Sequence, residues 1–250
     1  MTLEVSVIMP AYNAVRFIEA ALDSLLAQTS VELEIIVVDD GSIDETPRIV
    51  EQIATADPRV RLIASPHRGV SAARNTGLEA ARAPFITFLD SDDLCPPGKT
   101  ARQLARLRAD PEAAVIVGEV MFFREADANC VPLPGTRTMR ILGVNLGAAL
   151  IRREMFDRVG GFDPQIDQGE DLDFFLRVFE SGAKIATETE VATLYRRHAA
   201  NLTNDTMGVK RGALRAFHKS LQRRRAQGEV RPHPPLFYRR QAAEEEFRDI

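Results

Sequence analysis

Three short acidic clusters in this chain could do chemistry: Asp39-Asp40-Gly41-Ser42, Asp90-Ser91-Asp92-Asp93 and Glu170-Asp171. The second packs three carboxylates into four residues directly behind the apolar run FITFL. Like charge at that density is costly unless a cation neutralises it. Hard divalent ions such as Mg2+ or Mn2+ take oxygen ligands, often one or two carboxylates with phosphate and water completing the shell. Asp and Ser also favour plain hydrophilic turns, so this cluster alone reads equally well as a turn. The 39–42 cluster taken alone reads as a turn. Glu170 with Asp171 taken alone reads as acids stabilised at a helix start by the macrodipole. Only convergence of the three would make a site.

The elements that must position them alternate. Short apolar, β-branched runs at 5–9, 33–38, 60–64 and 85–89 read as buried strands, with Pro10 ending the first. Residues 14–28 carry a helix-spaced apolar face. Ser42 and Glu45, with Pro47 behind them, have capping-box spacing that predicts a second helix starting there, and 71–82 predicts a third. A helix over 100–109 and a strand over 114–123 follow. The polar stretch 124–139 reads as a surface loop. A strand at 148–152, a short helix at 153–159, an amphipathic helix at 171–180 closed by Gly182 and a strand at 191–196 complete the pattern. This alternation predicts an α/β domain, a mostly parallel central sheet flanked by helices. Ligands of such sheets bind outside the carboxyl ends of the strands, where all three clusters fall.

The 250 residues are 45% hydrophobic and 27% charged, enough for one large domain plus an appendage and a real core. Bulk disorder is excluded, and no run of about 18 apolar residues marks a membrane span. The start MTLEVSVIMP has Glu4 where a secretory leader wants a basic region. Cys95 and Cys130 are too few for a disulfide framework or a cysteine zinc site. A cytoplasmic protein is the expectation. Net charge is −4, yet residues 207–240 hold ten Lys/Arg against the single acid Glu229, a local +9 that leaves −13 on the rest. A basic tail on an acidic body suggests an anionic counterpart: a membrane surface, a phosphorylated acceptor or an acidic partner. A solvated helical face is the plainer alternative. Residues 206–250, broken by Pro232, Pro234 and Pro235, are expected to form a helical extension to a domain at 1–205.

Other chemistries lack their signatures. The first strand leads into Pro10-Ala11-Tyr12-Asn13, not GxGxxG, and no GxxxxGK[ST] occurs. Gly69-Val70-Ser71-Ala72-Ala73 comes within one residue of a nucleophile elbow, with Asp171 and His198 following in hydrolase order. Ser71, however, stands seven residues past Ala64 rather than on a tight strand-to-helix turn, and a hydrolase leaves the acidic cluster at 90–93 unexplained.

Six stretches in order resemble a family-2 glycosyltransferase of the GT-A fold: SVIMPAYNA at 6–14, VVDDGSIDET at 37–46, Gly69 with ARNTG at 73–77, FLDSDD at 88–93, GGFDPQIDQGEDLDFFLR at 160–177 and YRRHAANLT at 195–203. The resemblance covers about 3–205, with a nucleotide-sugar half to about 95 and an acceptor half beyond. It implies that Pro10, Ala11 and Tyr12 line the nucleoside pocket, Asp40 accepts the base N–H, and Asp39 lies near base or ribose. Arg74 would approach the nucleotide, and Asp90 with Ser91 would meet the donor at the ribose. Asp92 would hold the Mn2+ or Mg2+ that bridges the diphosphate, with His198 beside that metal. Asp171 would be the catalytic base, ionised at neutral pH.

The implied activity is single-displacement, inverting transfer of one sugar from a nucleotide-sugar donor, of UDP-sugar class, to a hydroxyl of a saccharide or glycolipid in polysaccharide biosynthesis. Implied partners are donor and acceptor, not nucleic acid, with the basic 207–240 segment peripheral to the inner face of a membrane. The chain has no tryptophan, hence none of the QxxRW motif of processive relatives, which points to one sugar per encounter. Cys95 stands where relatives often carry a bulkier residue. Phe162, Phe174 and Phe175 are candidates for an acceptor wall, with at least two expected in the core. A catalytically silent nucleotide-binding module is the alternative. A sugar-phosphate nucleotidylyltransferase is a weaker one, since it wants a glycine-rich basic loop after the first strand.

Overall fold

The computed structural model describes residues 2–127, 132–133, 135–166, 168–226 and 228, and the backbone of 239–240. Cys130 and most of 227–250 lie outside the described residues.

The apolar runs form strands β1 (Val5–Ala11), β2 (Leu33–Asp39), β3 (Val60–Ala64) and β4 (Phe85–Phe88), separated by helices α1 (Ile18–Leu26), α2 (Thr46–Ala56) and α3 (Val70–Ala80). They pair in parallel in the order β3-β2-β1-β4. Period-2 alternation sends Val5, Val7, Met9, Ile35 and Val37 to one face, against α1, α2 and α4 (Lys99–Ala109). Ile8, Ile36, Val38, Ile86 and Phe88 go to the other, against α3, α5 (Glu154–Val159) and α6 (Glu170–Glu180). Burial on both faces is why these strands read as continuous apolar runs.

The second half is mixed. The long β5 (Ala113–Phe123) pairs in parallel with β8 (Lys184–Arg196) along one edge. Its other edge takes antiparallel β7 (Ala149–Arg152), which also joins β4, and then β6 (Met139–Leu142). The parallel expectation thus describes the β3-β2-β1-β4 half and the β5-β8 pair, while antiparallel β7 and β6 join the two halves and complete the sheet.

Several local expectations are corrected. Pro10 does not end β1, which runs on to Ala11. Ile8 O accepts from Leu89 N, so by alternation the N–H that Pro10 lacks would face the same side, beyond the end of β4, where no ladder needs it. The capping box at Ser42 and Glu45 does not form; α2 starts at Thr46 without a side-chain cap. Ser42 instead joins Asp44 and Thr46 in locking two loops together: Ser42 Oγ accepts Asn13 N, Asp44 accepts Val15 N, and Thr46 Oγ1 accepts Ala14 N. Strand β8 begins at Lys184, seven residues before expectation. In the C-terminal extension, α7 (Thr206–Ala226) is helical as expected, but Arg239–Arg240 form a short strand, β9, on β6.

Helix α7 packs on α6 and the loop before it through small residues: Gly208, Gly212, Ala216 and Ser220 are buried. Contact at Gly212 is so close that a Cβ there would lie 1.7 Å from the carbonyl oxygen of Gln168. Lys219 pairs with Asp163, and Arg223 with Asp173 and Glu180. Part of the basic charge in this segment therefore answers acids of the body.

Candidate active site

In the order β3-β2-β1-β4 the chain winds outward from β1 in both directions, and in such sheets ligands bind at the carboxyl ends where the winding reverses. Register places Ala11 of β1 beside Asp39 of β2, while β4 runs into the turn that carries Asp90, Ser91 and Asp92. The first two acidic clusters flank Pro10, Ala11 and Tyr12.

Asp40 is buried and already employed. Its carboxylate accepts the backbone N–H groups of Arg68 (2.9 Å) and Gly69 (2.8 Å). It also faces Nδ1 of His67, which lies 2.9 Å from both the carbonyl and the carboxylate of Asp40. Asp40 thereby fixes the loop between β3 and α3. Gly41, at φ +78°, leaves the room that loop needs: a Cβ would meet the backbone nitrogen of His67 at 3.0 Å. The loop in turn sets the His67 ring on Tyr12, with centroids 4.2 Å apart and planes 22° from parallel. Tyr12 stays 46% exposed. Asp39 accepts Ser42 N through Oδ2, while its buried Oδ1 has no partner among the described residues, so a hydrogen-bond acceptor is left over beside Tyr12 and Asp40.

Arg74 joins the second and third clusters. It projects from α3 into the interior, only 4% exposed, not on a helix surface. Nη2 donates to Asp90 Oδ1 at 2.7 Å and Nη1 to Glu170 Oε1. Burial opposes its charge, but Asp90 and Glu170 outweigh burial and hold its pKa above the ordinary value. Its Nε has no partner among the described residues. Arg74 is thus a clamp between carboxylates before it is a contact for any ligand.

That clamp fixes the first turn of α6, where Asp171 follows Glu170. Burial first, and the neighbouring Glu170 charge second, push the Asp171 carboxyl up to about 7 against the pull of Arg74. The expectation that Asp171 is simply ionised at neutral pH is corrected. Close to neutrality it is poised between its two forms, a setting suited to a group that must take a proton.

At the far side, strand β8 meets the β4 turn through paired backbone hydrogen bonds between Leu94 and Leu194, both 3.0 Å. Asp93, fully enclosed, accepts Arg196 N at 2.9 Å, and Arg196 Nε donates to Asp92 O at 2.9 Å. These contacts bring His198 to Asp92, with Nε2 2.9 Å from Oδ2, and Asn201 Nδ2 to the same oxygen at 3.4 Å. The His198 ring stacks on Phe17, centroids 4.5 Å apart. Nδ1 accepts Ala200 N at 3.2 Å, so the ring proton sits on Nε2 and points at Asp92.

Burial first, then Asp90, raises the Asp92 carboxyl; Asp93 is raised further by burial and both neighbours. Among the described residues no three His, Cys, Asp or Glu side chains form a ready metal cage. A carboxylate oriented by an imidazole nevertheless offers oxygen donors that suit a divalent ion whose remaining ligands are phosphate and water.

The predicted site residues thus gather at the carboxyl ends of β1, β2 and β4 and in the first turn of α6; Arg74 ties the second cluster to the third, and His198 ties the end of β8 to the second. His67 and Phe17 belong to the same network without any signal of a role in the sequence, whereas Glu170 and Asn201 lie inside matched stretches that give neither a role of its own. Phe162, Phe174 and Phe175 are all buried in the core, so none forms an acceptor wall. Cys95 is a buried free thiol.

Comparison with known proteins agrees with this arrangement. The family described as Glycosyl transferase family 2 matches residues 6–202. An uncharacterized glycosyltransferase EpsJ of Bacillus subtilis is 33% identical over 217 residues, 80% of this chain and 62% of that protein. The chain therefore spans less than two thirds of that relative. The succinoglycan biosynthesis protein ExoO of Rhizobium meliloti is 31% identical, covering 90% of this chain and 73% of that protein. Among solved structures, the mannosyltransferase PcManGT from Pyrobaculum calidifontis, in complex with GDP-Man and Mn2+, superposes with a TM-score of 0.69 at 23% identity over 95% of this chain and 67% of that one. S. aureus TarS 1-349 in complex with UDP-GlcNAc gives 0.68 at 20% identity, over 81% and 61%.

Proposed function

The chain belongs to glycosyl transferase family 2 and has its GT-A fold, and from that premise we propose that it moves one sugar from a nucleotide-sugar donor to a hydroxyl of a saccharide or glycolipid acceptor, with inversion at the anomeric carbon. The observation that carries this reading is the Arg74 clamp. It sets Glu170, and with it Asp171, across Arg74 from Asp90 and the Asp92 turn.

In this reading the nucleoside lies against Pro10, Ala11 and the exposed side of Tyr12. The unpartnered Oδ1 of Asp39 and the remaining lone pairs of Asp40 accept base or ribose donors, and Asp90 and Ser91 meet the ribose. A UDP-sugar is the proposed donor class; the solved relatives carry UDP-GlcNAc and GDP-Man, which makes UDP and GDP the first two to try. Asp92, with His198 at its side, would hold Mn2+ or Mg2+, which when bound neutralises charge developing on the diphosphate leaving group. Asp171 takes the proton of the attacking acceptor hydroxyl. The one-step displacement then needs no covalent enzyme intermediate.

Among the described residues no helix is long and apolar enough to cross a membrane. The proposed setting is cytoplasmic, with the basic 207–240 segment against the inner face of a membrane. The test is release of nucleoside diphosphate from UDP- and GDP-sugars with Mn2+, by the wild type and by Asp171→Asn. Release or transfer by the wild type that Asp171→Asn loses supports the reading. Equal turnover by the variant refutes Asp171 as base.

A further inference from the structure

The 21-residue helix α7, TMGVKRGALRAFHKSLQRRRA, contains no acid. At about 100° per residue its sides separate cleanly. Gly208, Gly212, Ala216 and Ser220 are buried, and Lys219 and Arg223 on that side reach acids of the body. Met207, Leu214 and Leu221 recur every seven residues on the opposite side, and a heptad repeat drifts by only about 20°. They are 62%, 69% and 38% exposed. Lys210, Arg211 and Arg225 share that outward side and are exposed as well; among the described residues the acid paired with this set is the exposed Asp205, 3.8 Å from Arg211.

We propose that this outward face of α7 lies in an anionic lipid surface, with Met207, Leu214 and Leu221 entering the headgroup layer and Lys210, Arg211 and Arg225 on the lipid phosphates. The inference deepens the peripheral contact put forward above and rests on it. That contact needs only charge, whereas the face seen here adds an aliphatic stripe between cations, the make-up of an in-plane interfacial helix. Charge selects the occupant. A second copy laid face to face would set Lys210, Arg211 and Arg225 against their own counterparts, while anionic phosphates complement them.

The placement also serves the site. Helix α7 follows directly on the turn that holds Asn201, whose amide reaches Asp92. A lipid surface under α7 therefore adjoins the metal end of the site, and an acceptor carried on a lipid arrives there by diffusing in two dimensions.

The chain has no tryptophan, so Leu214→Trp in the full chain installs a single fluorophore at an exposed position. Vesicles of phosphatidylcholine with phosphatidylglycerol should shift its emission to the blue, and brominated lipid should quench it. Phosphatidylcholine alone should do neither. Adding Leu221→Asp should weaken partitioning about tenfold or more, as expected when one buried leucine is lost. Salt-sensitive binding to anionic vesicles with the fluorophore unshifted and Leu221→Asp without effect would overturn the inserted face and leave the charge contact standing. No binding to anionic vesicles would overturn both. A fluorophore already shielded in a dimer, without vesicles, would assign the face to a second copy and overturn the inference.

Discussion

Nε2 of His198 lies 2.9 Å from Oδ2 of Asp92 across 106 residues of chain, tying the end of β8 to the end of β4. Because Nδ1 is occupied by Ala200 N, His198 orients the carboxylate that the proposed site offers to a divalent ion. Partners of this kind change metal affinity by about 10–100-fold. His198→Ala should raise the Mn2+ concentration needed for half-maximal activity by about that factor and leave the rate at saturating Mn2+ much less affected. A manganese titration of both proteins checks it, and superimposable curves would remove His198 from the metal end.

Asp171 sets the pH dependence. The base acts ionised and its carboxyl stands at about 7, so kcat/KM should climb about tenfold per pH unit below 7 and level off above it. A flat profile between pH 5.5 and 8 would contradict the assignment.

Stability runs the opposite way. A carboxyl raised from 3.8 to about 7 on folding contributes stability that is fully present below about 4 and lost as pH rises through 7. Asp171→Asn, which cannot ionise, should therefore melt above the wild type at pH 8, by about 2–4 °C per kcal/mol recovered, and match it at pH 4. Melting curves at the two pH values decide it.

Arg74→Met should be severe. It leaves Glu170 and Asp90 facing each other without their common cation, and loss of one partner of a buried ionic network costs about 3–5 kcal/mol. Arg74→Lys keeps the charge but cannot span both carboxylates with a planar fork, so it should recover part of the stability and little of the activity. Denaturant unfolding of the two variants separates charge from geometry.

Gly212→Ala tests how α7 is held. A Cβ 1.7 Å from Gln168 O must push the helix off the body, at about 1–3 kcal/mol for overpacking. The exposed Leu214 can be changed as a control. Proteolysis of 206–226 should speed up in Gly212→Ala alone.

The sequence made the parallel half and the acidic clusters legible, because doubly covered strands read as apolar runs and strand ends as abrupt acids. What it hid was pairing at a distance. The clamp at Arg74 has no local sign because Glu170 lies 96 residues away in the chain, and His67 has no local signature because its role depends on Tyr12, in another loop. The Ser42 and Glu45 pattern misled because Asn13 N of the neighbouring loop takes the Ser42 hydroxyl and Glu45 pairs with Arg48 instead. The local pattern puts Asp171 at a helix start, but its proton affinity follows from burial and from the neighbouring Glu170 charge, which no local pattern displays.

The most direct measurement is a thermal-shift screen of UDP, GDP, CDP and dTDP, each with and without Mn2+, on the wild type and Asp92→Ala. Saturating ligand at 100-fold over its Kd stabilises by about 2.7 kcal/mol, or about 2–4 °C per kcal/mol for a chain of this size. The account predicts that one nucleotide, UDP first, raises the melting temperature only with Mn2+, and that Asp92→Ala abolishes the rise. No shift with any nucleotide in the presence of Mn2+, or the same shift in Asp92→Ala, would contradict it.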